Sequence, residues 1–262
     1  MRPERIADTL ARLAARTPID APAILVAAHP DDETIGAGAS LPLFRRLLLV
    51  HVTDGAPRNL ADARAAGFAT AADYAAARRR ELAAALAAGG AAPALAELHA
   101  PDQEAALAMD ALATVLVGLM QRHGAEVVIA HPYEGGHPDH DAACLIAHLA
   151  ASRAGVAAII EMTSYHRAAD GSVATGRFLP NGAAPVVVAL TPPEQARKRA
   201  MLDAFATQRR TLAGFATAEE AFRPAPRYDF TAPPHPGALH YEGQNWGMNF
   251  PRWQALASGV AA

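Results

Sequence analysis

Two short stretches of the chain concentrate the residues that could do chemistry. One is Ala28-His29-Pro30-Asp31-Asp32-Glu33. The other is Ala130-His131-Pro132-Tyr133-Glu134-Gly135-Gly136-His137-Pro138-Asp139-His140-Asp141. Both are dense in imidazole and carboxylate. Neutral imidazoles and carboxylate oxygens crowd into one crevice when something positive joins them, and a divalent metal does this. Two His and one carboxylate with an open position form a catalytic donor set, unlike the closed four-ligand set of a structural zinc. A single such cluster is equally well explained as a capped helix start, with Asp31 or Asp32 as N-cap and Glu33 in the first turn. Two clusters at equivalent places in one sheet favour the metal.

Each cluster directly follows an apolar run, and these runs must position it. Residues 23–28 (AILVAA) and 126–130 read as strands buried on both faces, as does Leu47 to Thr53. In α/β sheets, sites form outside the carboxyl ends of strands. Further strands are expected near 95–98, 157–163 and 185–190. Helices are expected over 3–16, 71–88, 109–122 and 138–152. Thr191-Pro192-Pro193-Glu194 opens another helix, expected to run through Gln208. This alternation predicts an α/β, Rossmann-like fold: a mainly parallel sheet with helices on both faces. Residues 1–262 read as one domain. Residues 167–185 read as a loop or hairpin, and about 223–262 as an irregular segment packed on the domain.

Composition narrows the function classes. The net charge is −3, which argues against nucleic acid and anionic membranes as partners. The single cysteine, Cys144, excludes a disulfide framework or a Cys-rich zinc site. The longest strongly apolar uncharged run, Ala111 to Met120, falls short of the roughly 18 residues a membrane span requires. No apolar segment of the secretory type follows Met1-Arg2-Pro3-Glu4-Arg5, so a reducing, bacterial-type cytosol is the expected compartment. About a quarter of the chain is alanine and Lys198 is its one lysine, which reads as the codon usage of a GC-rich genome.

Pro30 and Pro138 interrupt strand and helix regularity, so spacing alone leaves open whether Asp31 or Asp32 shares a face with His29. Taken together, the two stretches resemble the paired signatures of the PIG-L/LmbE-like family of zinc-dependent N-deacetylases. The likeness rests on Ala28-His29-Pro30-Asp31-Asp32-Glu33 and, roughly 105 residues on, His137-Pro138-Asp139-His140. Weaker likeness lies in Thr53-Asp54-Gly55, in Arg78-x-x-Glu81 followed by Gly89, and in Leu98-x-x-Pro101-Asp102-Gln103-Glu104. The resemblance implies His29, Asp32 and His140 as metal ligands. It implies Asp31 as general base for a metal-bound water. It implies His137, oriented by Asp139, as the group that stabilises the oxyanion or protonates the leaving amine. By looser matching, Arg78 and Asp102 face a sugar hydroxyl or phosphate. Mycothiol-pathway members of the family carry a Tyr two residues before the first His of the second signature. Here Gly135 holds that position and Tyr133 lies four before, so Tyr133 is carried as a substrate-binding candidate.

The expected activity is hydrolysis of an N-acyl group, most simply N-acetyl, from an amino sugar or its conjugate. Zn(II) is the expected cofactor, and Fe(II) suits the same donors. The expected partner is a small N-acylated amino sugar or glycoconjugate, and a homo-oligomer is compatible with the sequence. Alternatives are another N-acyl compound (a glycopeptide, a lipid-linked sugar, a small amide), a non-catalytic metal- or sugar-binding module, or an Fe(II) oxygenase. The last usually sits in a β-rich barrel, which this pattern disfavours. His51, inside an apolar strand, reads as a hydrogen-bonded core residue, and His99, His123, His148 and His166 as structural or surface groups. Trp246, Tyr241 and Trp253 read as an apolar clamp or a sugar-stacking platform. Glu161 and Glu242 are left unassigned.

Overall fold

The structure is a computed structural model that describes residues 2–260. Its strands are β1 (Ala23–Ala27), β2 (Leu47–Thr53), β3 (Ala94–Ala100), β4 (Val127–Ala130), β5 (Ala158–Met162), β6 (Tyr165–Arg167), β7 (Val173–Thr175), β8 (Val186–Ala189) and β9 (Glu219–Pro224). Its helices are α1 (Arg2–Ala15), α2 (Asp32–Ala37), α3 (Ala61–Ala65), α4 (Ala71–Gly89), α5 (Met109–His123), α6 (Pro138–Ala154), α7 (Pro192–Asp203), α8 (Arg209–Leu212) and α9 (Phe250–Val260).

Seven strands form one sheet in the order β3-β2-β1-β4-β5-β9-β8. The five from β3 to β5 run parallel, while β9 pairs antiparallel with both β5 and β8. Strands β6 and β7 form a separate hairpin; it begins just before residues 167–185, the stretch expected as a loop or hairpin, and β7 lies inside that stretch. Every residue of β1, β2 and β4 is buried, as continuous apolar runs in a parallel sheet require.

Alternate residues of β1 feed two cores. Leu25 joins Leu13 of α1, Leu82 and Leu86 of α4, and Met201 and Leu202 of α7 on one face. Ile24 and Val26 join Leu116 of α5, Ile146 of α6 and Trp253 of α9 on the other. The sheet is therefore covered on both faces, as expected. The flanking helices have local causes: Thr70 Oγ1 caps α4 by accepting from the Asp73 N–H, and Gly90 ends it at φ 68°.

The expected elements recur within a few residues, with three differences. Helix α7 stops at Asp203, and Phe205 turns into the core instead of continuing it. The segment after 223 is not wholly irregular: β9 reaches Pro224 inside the sheet, and α9 packs Trp253 and Ala257 against the second core. Its early part, rich in Pro and Gly, hid the helix behind it. Helix α3 has no counterpart in the sequence reading. Among the described residues, no helix is long and apolar enough to cross a membrane.

His148 on α6 gives the fold a pH dependence of its own. It is largely buried beside Tyr228 and Phe230, and its Nε2 has no hydrogen-bond partner. Burial pushes the ring down to about 4, below its ordinary value of 6.5. The folded state therefore binds this proton less well than the unfolded chain. The contribution is fully present above pH 6.5 and is lost as pH falls toward 4, amounting to about 3 kcal/mol at the limit. Wild type should lose urea stability between pH 7 and pH 4.5, and His148→Gln should lose distinctly less. Equal losses in the two proteins would show that His148 is not the group responsible.

Candidate active site

In the sheet order β2-β1-β4, chain direction of assembly reverses at β1, so a crevice opens where β1 and β4 end side by side. The two polar clusters follow those two strands. Asp102 arrives from the loop after β3, and Ser164 from the turn after β5.

The first loop is tightly held. Asp31 adopts φ 143°, a conformation that costs free energy in a non-glycine residue and needs support from its surroundings. Its carbonyl accepts from the Thr34 and Ile35 N–H groups at 2.9 Å. Its own N–H donates to Glu33 Oε2, which also faces His51 Nε2 at 3.0 Å. His51 is thus a hydrogen-bonded core residue. Beneath the loop, Arg78 donates from Nη2 to Pro30 O at 2.6 Å and to Asp31 Oδ2 at 2.9 Å, and from Nη1 to Gly55 O.

The second loop wraps around Asp141, whose Oδ1 accepts from the N–H groups of Glu134 and Gly135 at 3.1 Å. His166 Nδ1 meets Glu134 Oε2 at 3.0 Å from the hairpin side. Gly136 passes so close to β6 that a Cβ would lie 2.0 Å from Tyr165 O, so only glycine fits. His137 then caps α6: its Nδ1 accepts from the Asp139 N–H at 3.1 Å, with Pro138 in the first turn.

Between the loops, Asp32 faces two imidazoles. Its Oδ2 lies 3.2 Å from His29 Nδ1, and its Oδ1 lies 3.2 Å from His140 Nε2. The far nitrogen of each ring is also held. His29 Nε2 meets Asp139 Oδ2 at 3.3 Å and Asp102 Oδ1 at 3.2 Å, and His140 Nδ1 meets Ser164 Oγ at 3.0 Å. Such outer partners fix the tautomer and direction of metal-binding imidazoles. His131 stacks on His140 at 4.2 Å, and its Nε2 accepts from the Ala28 N–H, tying the second cluster to the end of β1. Neither Ser164 nor His131 was singled out in the sequence. Ser164 carries no motif signal, and His131 was visible only as part of its cluster.

The charge distribution fits a cation. Asp31, Asp32, Asp102 and Asp139 are all buried around these rings, and buried carboxylates need compensation. Burial works against ionisation of Asp32, yet His140 and His131 hold it well below the usual carboxylate range. Burial also opposes charge on His29, and Asp102, Asp139 and Asp32 outweigh it and raise the ring. Burial lifts Asp31 to about 8 despite Arg78. Burial and the neighbouring His29 push His137 well below its ordinary value.

A cavity of about 1440 Å³ opens over this group. His29, Asp31, Asp32, Asp102, His137 and His140 line its floor, and Trp246 sits on its wall with its ring 4.3 Å from that of His137. Eight of the nine sequence candidates (those six with Arg78 and Asp139) therefore lie in one constellation. Three expectations need correction. Tyr133 does not reach the cavity: its ring is buried against Trp253 and Phe230, and its hydroxyl donates to Ala232 O at 2.9 Å. Arg78, expected to face a sugar, borders the cavity but turns its guanidinium to Asp31 and two backbone carbonyls. Asp139 does not orient His137 through its carboxylate, which stays 4.0 Å from His137 Nδ1 and instead accepts from Gln103 N, Ala105 N and His29. Its link to His137 is the backbone N–H. Of the remaining candidates, Tyr241 and Trp253 are buried in the core, Glu161 pairs with Arg223, and Glu242 accepts from the Leu239 and Phe250 N–H groups.

Comparison with known proteins gives the constellation its relatives. A family model described as PIG-L, GlcNAc-PI de-N-acetylase, matches residues 24–151. No curated protein matches the chain in sequence. Among solved structures, a triple mutant of the deacetylase of the teicoplanin biosynthetic pathway shares 20% identity over 79% of this chain and 99% of that one, with a TM-score of 0.61. The zinc-inhibited form of teicoplanin deacetylase shares 17% over the same fractions, with a TM-score of 0.58. The N,N'-diacetylchitobiose deacetylase of Pyrococcus horikoshii shares 17% over 83% of this chain and 89% of that one, with a TM-score of 0.52. At these identities the structures establish a common fold. The matched segment runs from β1 into α6, contains both polar clusters and is a PIG-L family domain.

Proposed function

We propose that the protein hydrolyses the N-acyl group, most simply N-acetyl, of an amino sugar conjugate, using a divalent ion held by His29 Nδ1, Asp32 and His140 Nε2. The observation that carries this reading is the Asp32 carboxylate set 3.2 Å from each of two imidazole nitrogens on a cavity floor. The family match and the deacetylase neighbours support the same reaction class. When bound, zinc lowers the pKa of water from 15.7 to about 7 and polarises the amide carbonyl.

The chain's own groups supply the rest. Asp31 accepts the proton of the attacking water; burial lifts its carboxyl to about 8, and an ion held by the neighbouring ligands would favour its ionised form. Arg78 holds that carboxylate in place. The lone pair on His137 Nδ1 receives the Asp139 N–H, so the neutral ring carries its proton on Nε2. That N–H donates a hydrogen bond to the developing oxyanion, and the proton taken up by Asp31 passes to the leaving amine. One such donor is worth about 3–4 kcal/mol. Water adds across the amide bond, giving a carboxylic acid and a free amine. Asp102 and Trp246 face the sugar.

The cavity exceeds the roughly 300–1,000 Å³ of ordinary small-molecule sites, which favours a conjugate over a bare monosaccharide. The test is release of free amine by protein loaded with one equivalent of zinc. Substrates would be N-acetylglucosamine, N,N'-diacetylchitobiose, and lipid- and peptide-linked N-acyl amino sugars. We expect turnover of at least one conjugate. An ion-loaded protein that binds these sugars and releases no amine from any would be a binding module, and the reading would fall.

A further inference from the structure

The cavity has two chemically different sides. Beside His137 stand Asp102, 4.0 Å from its Nε2, and Trp246, whose ring is 4.3 Å away. The side next to Asp32 and His140 is apolar. Tyr165 of β6 lies edge-on to His140 with ring centroids 5.3 Å apart, and Phe215 stands edge-on to Tyr165 at 6.1 Å. Ile35 lines the cavity one turn along α2 from Asp32. Ile35 and Tyr165 pack on the same apolar core that holds Leu212 and Phe215, so this core surfaces in the cavity wall. Farther out the wall continues as Val173 of β7, which is 48% exposed, and as Ala213, also exposed. Thr175 Oγ1 donates to Gly214 O at 3.4 Å, joining the hairpin to the segment that carries Ala213 and Phe215. None of these side chains carries a charge.

Sugar hydroxyls set against such a wall lose water without gaining partners, which costs free energy. Hydrocarbon gains by leaving water there. An N-acyl amino sugar conjugate offers hydrocarbon in two places, the acyl chain and a lipid aglycone. The wall begins at the ligands themselves, and this favours the acyl chain. The carbonyl carbon has to sit at the ion, so the acyl chain starts one bond away, whereas an aglycone starts beyond the whole sugar ring. An acetyl methyl touches only the beginning of the wall and leaves Phe215 and Val173 unused. We infer that the protein removes acyl groups longer than acetyl, the hydrocarbon chain lying along Ile35, Tyr165, Phe215 and Val173 while the sugar faces Asp102 and Trp246. This rests on the reading that His29, Asp32 and His140 hold the ion, and it narrows the acyl group of that reading. The balance is that of amide hydrolysis: water adds across the C–N bond, releasing an alkanoic acid and the free amine.

The experiment measures kcat/KM for free-amine release by the zinc-loaded full chain. The substrates are glucosamine bearing N-acetyl, N-butanoyl, N-hexanoyl or N-octanoyl groups, the same acyl series on any conjugate the protein turns over, and the octyl glycoside of N-acetylglucosamine. Each buried methylene should raise kcat/KM roughly fourfold, so hexanoyl should exceed acetyl by at least about tenfold. The octyl glycoside should gain far less. Val173→Asp and Ala213→Asp place a charge on the two joined segments at exposed positions, and circular dichroism establishes that each is folded. Each should cut the hexanoyl-to-acetyl ratio at least about fivefold, because a carboxylate beside the chain keeps its water. Acetyl turned over as well as or better than every longer acyl group would overturn the inference and leave the deacylase reading intact. A gain on the octyl glycoside unmatched in the acyl series would also overturn it, assigning the wall to an aglycone. An unchanged ratio in every folded variant would overturn it as well. No amine from any substrate would overturn both readings.

Discussion

His140→Ala should lose the bound ion and with it on the order of a thousandfold or more in activity, because the ion's acidification of water is lost. The ring sits in the first turn of α6, with one nitrogen on Asp32 and the other on Ser164. Removing it leaves Asp32 and His29 as two donors, too few to retain zinc against a chelator. His140 is buried, stacked on His131 and close to Tyr165, so the substitution also opens a small cavity. That costs a few kcal/mol at most, less than the roughly 5–15 kcal/mol by which a domain is stable. The variant should stay folded by circular dichroism while elemental analysis shows the ion gone. A folded His140→Ala protein carrying a full equivalent would refute the ligand assignment.

Asp31→Asn should show the opposite separation, with the ion retained and activity reduced about a hundred- to ten-thousand-fold, because an amide does not take the water's proton. The amide oxygen still accepts from Arg78, and Arg78 keeps its bonds to Pro30 O and Gly55 O, so the loop should hold its φ 143° turn. The loss should appear in kcat far more than in KM. The paired comparison is Asp32→Asn, expected to strip the ion. If Asp31→Asn loses the ion and Asp32→Asn keeps it, the two aspartates have exchanged roles. Structure already separates them in part: Asp32 points between two imidazoles, and Asp31 points at a guanidinium.

Much of the site was legible because its causes are local. Continuous apolar runs such as residues 23–27 and 127–130 belong in a doubly covered parallel sheet, and the polar groups that follow them must then emerge at one edge. Metal-binding residue types at those two places specify a chemistry without any knowledge of the loop path. The spacing of His29 and Asp32 is short enough that one turn of chain brings them together, and the resemblance of both signatures to one family supplied the roles.

Partners far apart in sequence were decided only by the folded chain. The carboxylate of Asp139 serves His29, 110 residues away, because the cap of α6 gives its backbone N–H to His137 and turns its side chain toward β1. Tyr133 is two residues past His131, yet the turn around Asp141 sends it inward to the aromatic cluster of Trp253 while His137 faces the cavity. Arg78, which the sequence offered only through a weak local likeness, reaches the site from α4, and Ser164 reaches it from the end of β5 with nothing in its own neighbourhood to mark it. Strand β9 was hidden for a related reason: its place between β5 and β8 is set by antiparallel pairing with residues about 30 to 60 positions away. Residue type and local period determined most of the strands and helices and pointed to a class of chemistry. Which side chain meets which depended on where loops turn, and that is set by backbone hydrogen bonds and packing between segments remote in sequence.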